Sequence, residues 1–482
     1  MKTFPLPLVL ALLLFPQLSP AQKKLPKLKQ AAVATIKAHK TELIKLSDQV
    51  WANAETALKE YKSAKLLADY AEQQGFTVER GVAGMPTAFI ASYGQGKPII
   101  GVLGEFDALP GISQKAVPHK EALHEGAPGH GCGHNLLGVG ALGSAIAIKE
   151  LLAAGKLSGT LRFYGTPAEE SVGGKVYMAR DGLFDDLDVC LDWHPSQETK
   201  ANVQSSKALI DFNVEFFGRT AHASADPWNG RSAADAAELF VVGVNTLREH
   251  LKPSVRIHYV TKYAGDVPNV VPEYAKVWIW IRDAKREGVD NVYQRVQDIA
   301  KGAGLMAGVE AKVSLNGGDF EVLVNRTGGK VMDNNLRLLG PITYTAEEIA
   351  FAKAIQRATN RPEVGLDGEI KPFEETRDSP NGASTDVGDV SWVVPEIRLG
   401  VTTSAKGTPW HAWPVVACGG TSIGHKGMLY AAKALSLTMI DLFQNEQLRK
   451  DIRAEFNQRK GDYVYKPYIP DGPPPIPARE GK

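Results

Sequence analysis

Cysteine is scarce: the chain has three, Cys132, Cys190 and Cys418, in 482 residues. That excludes a fold stapled by disulfides, and an odd count leaves at least one thiol for burial or for chemistry. Excess charge is missing too. Lys and Arg number 55 against 54 Asp and Glu, a net charge of +1, which lacks the basic footprint of a nucleic-acid binder. A series of long apolar runs is missing, so the chain is not a multi-span membrane protein. Repeats at solenoid periods are lacking as well. The remaining balance, 44% hydrophobic and 23% charged residues, is that of a globular protein, and the length suits two or more domains.

The first residues read as an export signal. Lys2 gives a thin positive region, Leu6 to Phe15 an apolar stretch, and Ser19-Pro20-Ala21 a small-residue cleavage site. About ten residues at ~1.5 Å each fall short of the ~30 Å hydrocarbon core, so a cleaved signal over 1–21 is expected rather than a retained anchor. The expected location is periplasmic or secreted, free of the membrane after cleavage. Thereafter Lys23 to Lys40 reads as a basic helix with a solvated face. Residues 42–74 carry apolar positions at helical spacing up to Gly75, and so read as one helix.

Strand and helix patterns then alternate, predicting an α/β sheet from residues 22–205 and again from 326–462. Between them the texture changes. Ala208 to Phe217 alternates strictly, a helix follows over Ser232 to Leu247, and two strands, a helix and a last strand complete β-α-β-β-α-β. That order predicts a ferredoxin-like unit inserted over 206–325. The proline-rich residues 463–482 read as an extended tail along the surface.

Two motifs look like chemistry and are not. Gly138-Val139-Gly140-Ala141-Leu142-Gly143 has dinucleotide spacing, but no convincing strand precedes it and no acid follows at the required distance. Small residues for close helix packing explain it better. Gly420-Thr421-Ser422-Ile423-Gly424 resembles a nucleophile elbow, yet the one His after it is His425, with no acid between.

Four other segments carry ligand chemistry at loop positions. Gly129-His130-Gly131-Cys132-Gly133-His134 lets glycines bring a thiol and an imidazole to one point. Glu169-Glu170 follows a strand, and adjacent carboxylates suggest nearby cations. Asp192-Trp193-His194-Pro195 ends an apolar strand, and Pro409-Trp410-His411 lies between glycines. Cys132, His134, Glu170, His194 and His411 are one ligand too many for a closed tetrahedral site. They suit two metal ions with one bridging ligand, and Glu169 is left to move protons.

These segments resemble the amidohydrolase branch of the aminoacylase and glutamate-carboxypeptidase superfamily of metallohydrolases. The resemblance rests on Gly104-Glu105-Phe106-Asp107-Ala108-Leu109-Pro110-Gly111, Gly131-Cys132-Gly133-His134-Asn135 and Thr166-Pro167-Ala168-Glu169-Glu170. Gly218-Arg219-Thr220-Ala221-His222-Ala223 and Ser384-Thr385-Asp386-Val387-Gly388-Asp389 add to it. It covers nearly all of the chain after the signal.

The resemblance implies an α/β fold, a large mixed-sheet catalytic domain with an inserted ferredoxin-like α+β dimerisation domain. It implies two divalent ions, zinc or manganese first, cobalt or nickel as alternatives. Cys132, His134, Glu170, His194 and His411 fall on the ligand positions, with Cys132 as the bridge, and Glu169 on the general acid/base. His222 falls on a residue that steadies the oxyanion in the partner subunit's site. Asn269 and Arg282 fall on substrate contacts, and Asp107 behind the ligands. The implied reaction is hydrolysis of an N-acyl or aminoacyl amide with a free carboxylate, aminobenzoyl-glutamate-like. The implied assembly is a homodimer, with a separate second subunit also open. An aminoacylase or dipeptidase of the same fold is the first rival, and a non-catalytic metal-binding relative the second. Asn135 departs from the Asp common at that position, which would leave the centre more electropositive.

Overall fold

The computed structural model describes residues 25–374, 380 and 382–477. The expected export signal, 1–21, and the end of the tail lie outside the described residues. Strands β1 (Thr77–Arg80), β2 (Phe89–Gln95), β3 (Ile99–Glu105), β4 (Gly159–Thr166), β5 (Val189–Ser196) and β6 (Lys200–Asn202) come first. Then follow β7 (Ala208–Phe217), β8 (Arg256–Tyr263), β9 (Tyr274–Asp283) and β10 (Glu310–Asp319), and last β11 (Glu396–Thr402). They form a seven-stranded sheet, β1-β2-β4-β3-β5-β11-β6, and a four-stranded one, β10-β7-β9-β8. In the large sheet β4, β3, β5 and β11 run parallel, and the outer strands are antiparallel. The small sheet is antiparallel throughout. This is the expected fold class: a mixed-sheet α/β domain carrying an inserted ferredoxin-like unit.

The twofold period of a strand decides where chemistry can stand. Leu191 and Trp193 of β5 and Ile397, Leu399 and Val401 of β11 point into one core. There the helices His134–Ala153 and Ser422–Gln444 cover the sheet. The alternate residues, Asp192, His194, Glu396 and Arg398, therefore take the opposite face, with Glu105 at the end of β3. Shorter helices, Gly174–Arg180 and Val387–Val393, close that face over Leu103, Tyr164 and Cys190. In the small sheet Ile210, Phe212 and Val214 of β7 and Val277, Ile279 and Ile281 of β9 face the helices Ala233–Leu247 and Arg286–Ala307 in a separate core. Ser232 caps the first of these helices by accepting from Asp235 N–H.

Three expectations need correction or refinement. The single helix over 42–74 is two, Lys40–Asn53 and Tyr61–Gln73. The break falls where Ala54 and Leu58 take left-handed backbone (φ 41° and 59°). Glu55 accepts the free amides of Lys62 and Ser63, so the break has its own cap. The basic segment 23–40 is not simply a solvated face. Its helix, Lys27–Ala38, buries Ala32 and Ile36, and Lys29 pairs with Asp441 at 2.7 Å. The tail runs along the surface but also ties down. Tyr465 donates to Asp389 at 2.7 Å, and Pro475 reaches the wall of the central cavity.

The glycines of the false dinucleotide motif do serve packing. A Cβ on Gly138 would stand 2.6 Å from the Glu105 carbonyl oxygen, and one on Gly140 would stand 2.9 Å from Trp193. The helix thus lies close enough to hold the Cys132 loop against the strand ends. Gly138→Ala gains helix propensity of about 1 kcal/mol but meets unyielding backbone, an overpacking cost of about 1–3 kcal/mol. A Cβ on Gly302, in the helix Arg286–Ala307, would meet nothing within 4 Å. Gly138→Ala should lower the denaturant midpoint and Gly302→Ala should leave it unchanged or raise it.

Candidate metal centre

The expected ligands meet at the carboxyl ends of the parallel strands, where open α/β sheets place their sites. Glu105 ends β3 and Asp107 follows it, Glu169 and Glu170 follow β4, and His194 lies near the end of β5. His134 opens its helix, and Cys132 precedes it in the glycine loop. His411 arrives last, on left-handed backbone (φ 54°), its N–H donating to Gly131 carbonyl at 3.1 Å. A Cβ on Gly131 would stand 2.3 Å from Ile112 Cδ1 and 3.4 Å from the His411 carbonyl carbon, so the glycine loop packs closely there.

Three donor groups result, each with its ligand atoms within 4.8 Å of one another. They are Cys132, His134 and His194; Cys132, Glu170 and His411; and Glu105, His134 and Glu169. Cys132 belongs to two of them. Its Sγ is 3.4 Å from His194 Nε2 and accepts from Trp410 Nε1 at 3.2 Å. His411 Nε2 is 3.4 Å from Glu170 Oε2. His134 donates from Nδ1 to Asp107 Oδ1 at 3.0 Å, and His194 from Nδ1 to the Pro195 carbonyl at 2.7 Å. Each of these imidazoles thereby keeps the Nε2 lone pair for a ligand.

This donor set fits divalent ions. Glu170 Oε1 and His134 Nε2 are buried without a hydrogen-bond partner. Glu105 Oε2 lies 3.1 Å from that Nε2, but out of hydrogen-bond alignment. Buried polar atoms left so are costly unless something binds them. Burial, then the neighbouring Glu170, pushes the Cys132 thiol up. Burial raises Glu170 to about 7 and lowers His194 to about 4. Glu169 stands well above the usual carboxylate range, because protein crowds it first and Glu105 and Glu170 repel its charge next. Cations in the centre would favour the ionised thiol and carboxylates, and neutral His194 is already in its ligand form.

Behind the donors lies a charged support. Lys175, fully buried, reaches Glu105 at 2.6 Å and Asp386 at 2.7 Å. Burial opposes the charge on Glu105, but Lys175 and the two imidazoles outweigh it and hold the carboxyl down at about 2. Asp107 also accepts the Glu170 N–H at 3.0 Å, the supporting place expected of it. Above the centre a cavity of about 670 Å³ opens between the two sheets, walled by Glu169, His194, His411, Arg282 and Asp319. Arg282 stacks on Trp280, 4.9 Å from its ring centroid, with Nε unpaired.

Two expected residues are not brought to this cavity within the chain. His222 is exposed in the inserted unit, bridged to Val270, and Asn269 is exposed in the same loop pair. Sequence reasoning passed over Glu105, Lys175, Asp386 and Trp410. Glu105 and Asp386 stood inside quoted motifs, and Trp410 beside a chosen His. Lys175 carried no signal, since a lysine in a short helix reads as surface.

A mixed α/β domain with thiol, imidazole and carboxylate donors gathered at its strand ends belongs to a class: metal-dependent hydrolases of amide bonds. The profile of Peptidase family M20/M25/M40 matches residues 101–360, more than half of the chain, and the protein belongs to that family. It is 40% identical to the B-type subunit of p-aminobenzoyl-glutamate hydrolase from Escherichia coli (strain K12), over 92% of this chain and 98% of the relative. It is 28% identical to Xaa-Arg dipeptidase of Mus musculus, over 89% and 92%. The fold is shared with the Bacillus subtilis YXEP protein, a dinuclear metal binding peptidase, at TM-score 0.58 and 16% identity, covering 85% of this chain and 99% of that one. It is shared also with an aminobenzoyl-glutamate utilization protein from Klebsiella pneumoniae, at TM-score 0.54 and 17% identity, covering 83% and 96%.

The Lys175 support is testable apart from activity. Lys175→Met keeps volume but leaves Glu105 and Asp386 buried without their cation, an expected loss of about 3–5 kcal/mol in chemical unfolding. A loss under about 1 kcal/mol would mean that the pair adds nothing to the fold.

Proposed function

We propose that the protein hydrolyses the amide of an N-acyl or aminoacyl compound bearing a free carboxylate, with aminobenzoyl-glutamate the first candidate. The observation that carries this reading is the sharing of Cys132 between two donor groups beside Glu169. His134 and His194 with Cys132 would hold one ion, and Glu170 and His411 with Cys132 a second. Bound ions supply Lewis acidity, which makes water nucleophilic at neutral pH and polarises the amide carbonyl. Glu169 takes the proton of the attacking water and passes it to the departing amine nitrogen, and its raised pKa suits both steps. Thiolate and imidazole favour zinc, the carboxylate keeps manganese in play, and cobalt and nickel follow.

Arg282 is the fork for a substrate carboxylate, which its place on the cavity wall and its free Nε support. Asn269 and His222 stand outside their own cavity and serve that of a second copy in a homodimer, with His222 steadying the oxyanion. Exposed Leu239, Val242, Val260 and Tyr263 on the helix Ala233–Leu247 and edge strand β8 support an interface there. The Escherichia coli hydrolase has two kinds of subunit, and this chain is similar to both, which is the reason to test a separate second subunit as well. Export to the periplasm or medium rests on residues 1–21. Dipeptide cleavage is the second reading, favoured by the likeness to the mouse dipeptidase.

The direct test is a panel of aminobenzoyl-glutamate, acyl-amino acids and dipeptides, each with and without each metal; no turnover of any amide by metal-loaded protein would end the proposal. Elemental analysis should find both ions lost in Cys132→Ala and one lost in His194→Ala or His411→Ala. Glu169→Ala should keep both ions while kcat falls at least ~100-fold. Mixing inactive His222→Ala with inactive Glu169→Ala subunits should restore part of the activity. Verified mixed dimers that stay inactive would place His222 outside the chemistry.

A further inference from the structure

Glu60 is fully buried just before the helix Tyr61–Gln73, away from the ligands. None of the donor groups among the described residues includes it, and it does not face the cavity. Both its oxygens are engaged. Oε1 accepts the Ala168 N–H at 3.0 Å, and Oε2 accepts the Thr87 hydroxyl at 3.0 Å.

Ala168 is the residue before Glu169, and its backbone is left-handed, φ 64°. That conformation costs a non-glycine residue about 1–2 kcal/mol, so something must hold it. One residue beyond Glu169, the Glu170 N–H is held by Asp107 Oδ2 at 3.0 Å. The Ala168 carbonyl is engaged as well, by Val172 N–H at 3.1 Å and Gly173 N–H at 2.9 Å. Glu169 thus projects from a strained turn gripped by a buried carboxylate on either side. Asp107 also touches a ligand, His134; the other contact of Glu60 is the Thr87 hydroxyl.

We propose that Glu60 is a positioning residue: by holding the Ala168 N–H it fixes the left-handed turn that aims the Glu169 carboxylate at the substrate amide. This rests on the reading of Glu169 as the group that moves the proton. A misplacement of about 1 Å near reacting atoms costs on the order of 100-fold in rate. Glu60 therefore governs kcat, while the ions and the substrate are held by other residues.

The test uses the full-length, metal-loaded protein and aminobenzoyl-glutamate, or whichever amide of the panel it cleaves fastest. Glu60→Ala should lower kcat about 10- to 100-fold, with KM within about threefold and the bound ions per chain unchanged. Glu60→Gln, which keeps an acceptor at the same place, should retain kcat within about threefold. Added to Glu169→Ala, Glu60→Ala should cause no further loss, because the two act through one group. The proposal is overturned if Glu60→Gln is as damaged as Glu60→Ala, if ions are lost with activity, or if the losses multiply in the double variant. Should Glu60→Ala fail to fold, Glu60→Leu, which fills the space but accepts nothing from the Ala168 N–H, takes its place with the same outcomes. Failure of the underlying reading is seen separately, as native kcat in Glu169→Ala alone.

Discussion

Glu105, Asp107, Glu169 and Glu170 crowd one small space at the strand ends, and that crowding is the constraint from which the rest follows. Lys175 pairs with Glu105 and Asp386 and not, among the described contacts, with Glu169 or Glu170. A fold does not keep carboxylates so close without positive charge or protons, since taking ions out of water costs several kcal/mol each. Here both remedies show. Lysine and imidazole keep Glu105 ionised, whereas burial first and neighbouring carboxylates next push Glu169 and Glu170 toward the protonated form. Divalent cations are the natural third remedy, because the donors left without partners are those that metals prefer.

The scaffold meets this constraint by dividing labour between the faces of one sheet. One face is filled with Leu, Ile, Val and Trp beneath two long helices. The other holds the charges, where shorter helices bring Lys175 and Asp386 to them. Glycines decide how near these layers come. At Gly138 and Gly140 the helix backbone lies against β3 and Trp193, and at Gly131 the glycine loop lies against Ile112. The result is a floor whose ligands come from four separate stretches of chain.

The inserted unit supplies the opposite wall. β10 continues past its register irregularity at Leu315 to Asp319, and β9 carries Arg282 one residue before its end, so both reach the cavity from above. The tail crosses the junction and leaves Pro475 at the same wall. The cavity therefore lies between a floor that carries the donors and a roof that carries a guanidinium.

Much of this was legible from residues alone. Alternation over Ala208 to Phe217 and the β-α-β-β-α-β order announce the inserted unit, because a half-buried strand must repeat every second residue. Glycine-flanked Cys132 and His134, and Glu169-Glu170 after a strand, announce the centre, because those side chains are costly to bury for any purpose but binding. The break at Ala54 to Leu58 was hidden, since apolar spacing continues across it and the cap on Glu55 needs only one ordinary acid. Lys175 and Glu60 were hidden for a different reason. A buried charge has no local signature, and its value lies in partners distant in sequence: Asp386 for one, Ala168 for the other. The chain's own order of residues decides which elements form and which side chains can bind metal; their packing alone decides which charges are compensated, which turn is strained, and that His222 and Asn269 face away from the cavity of their own chain.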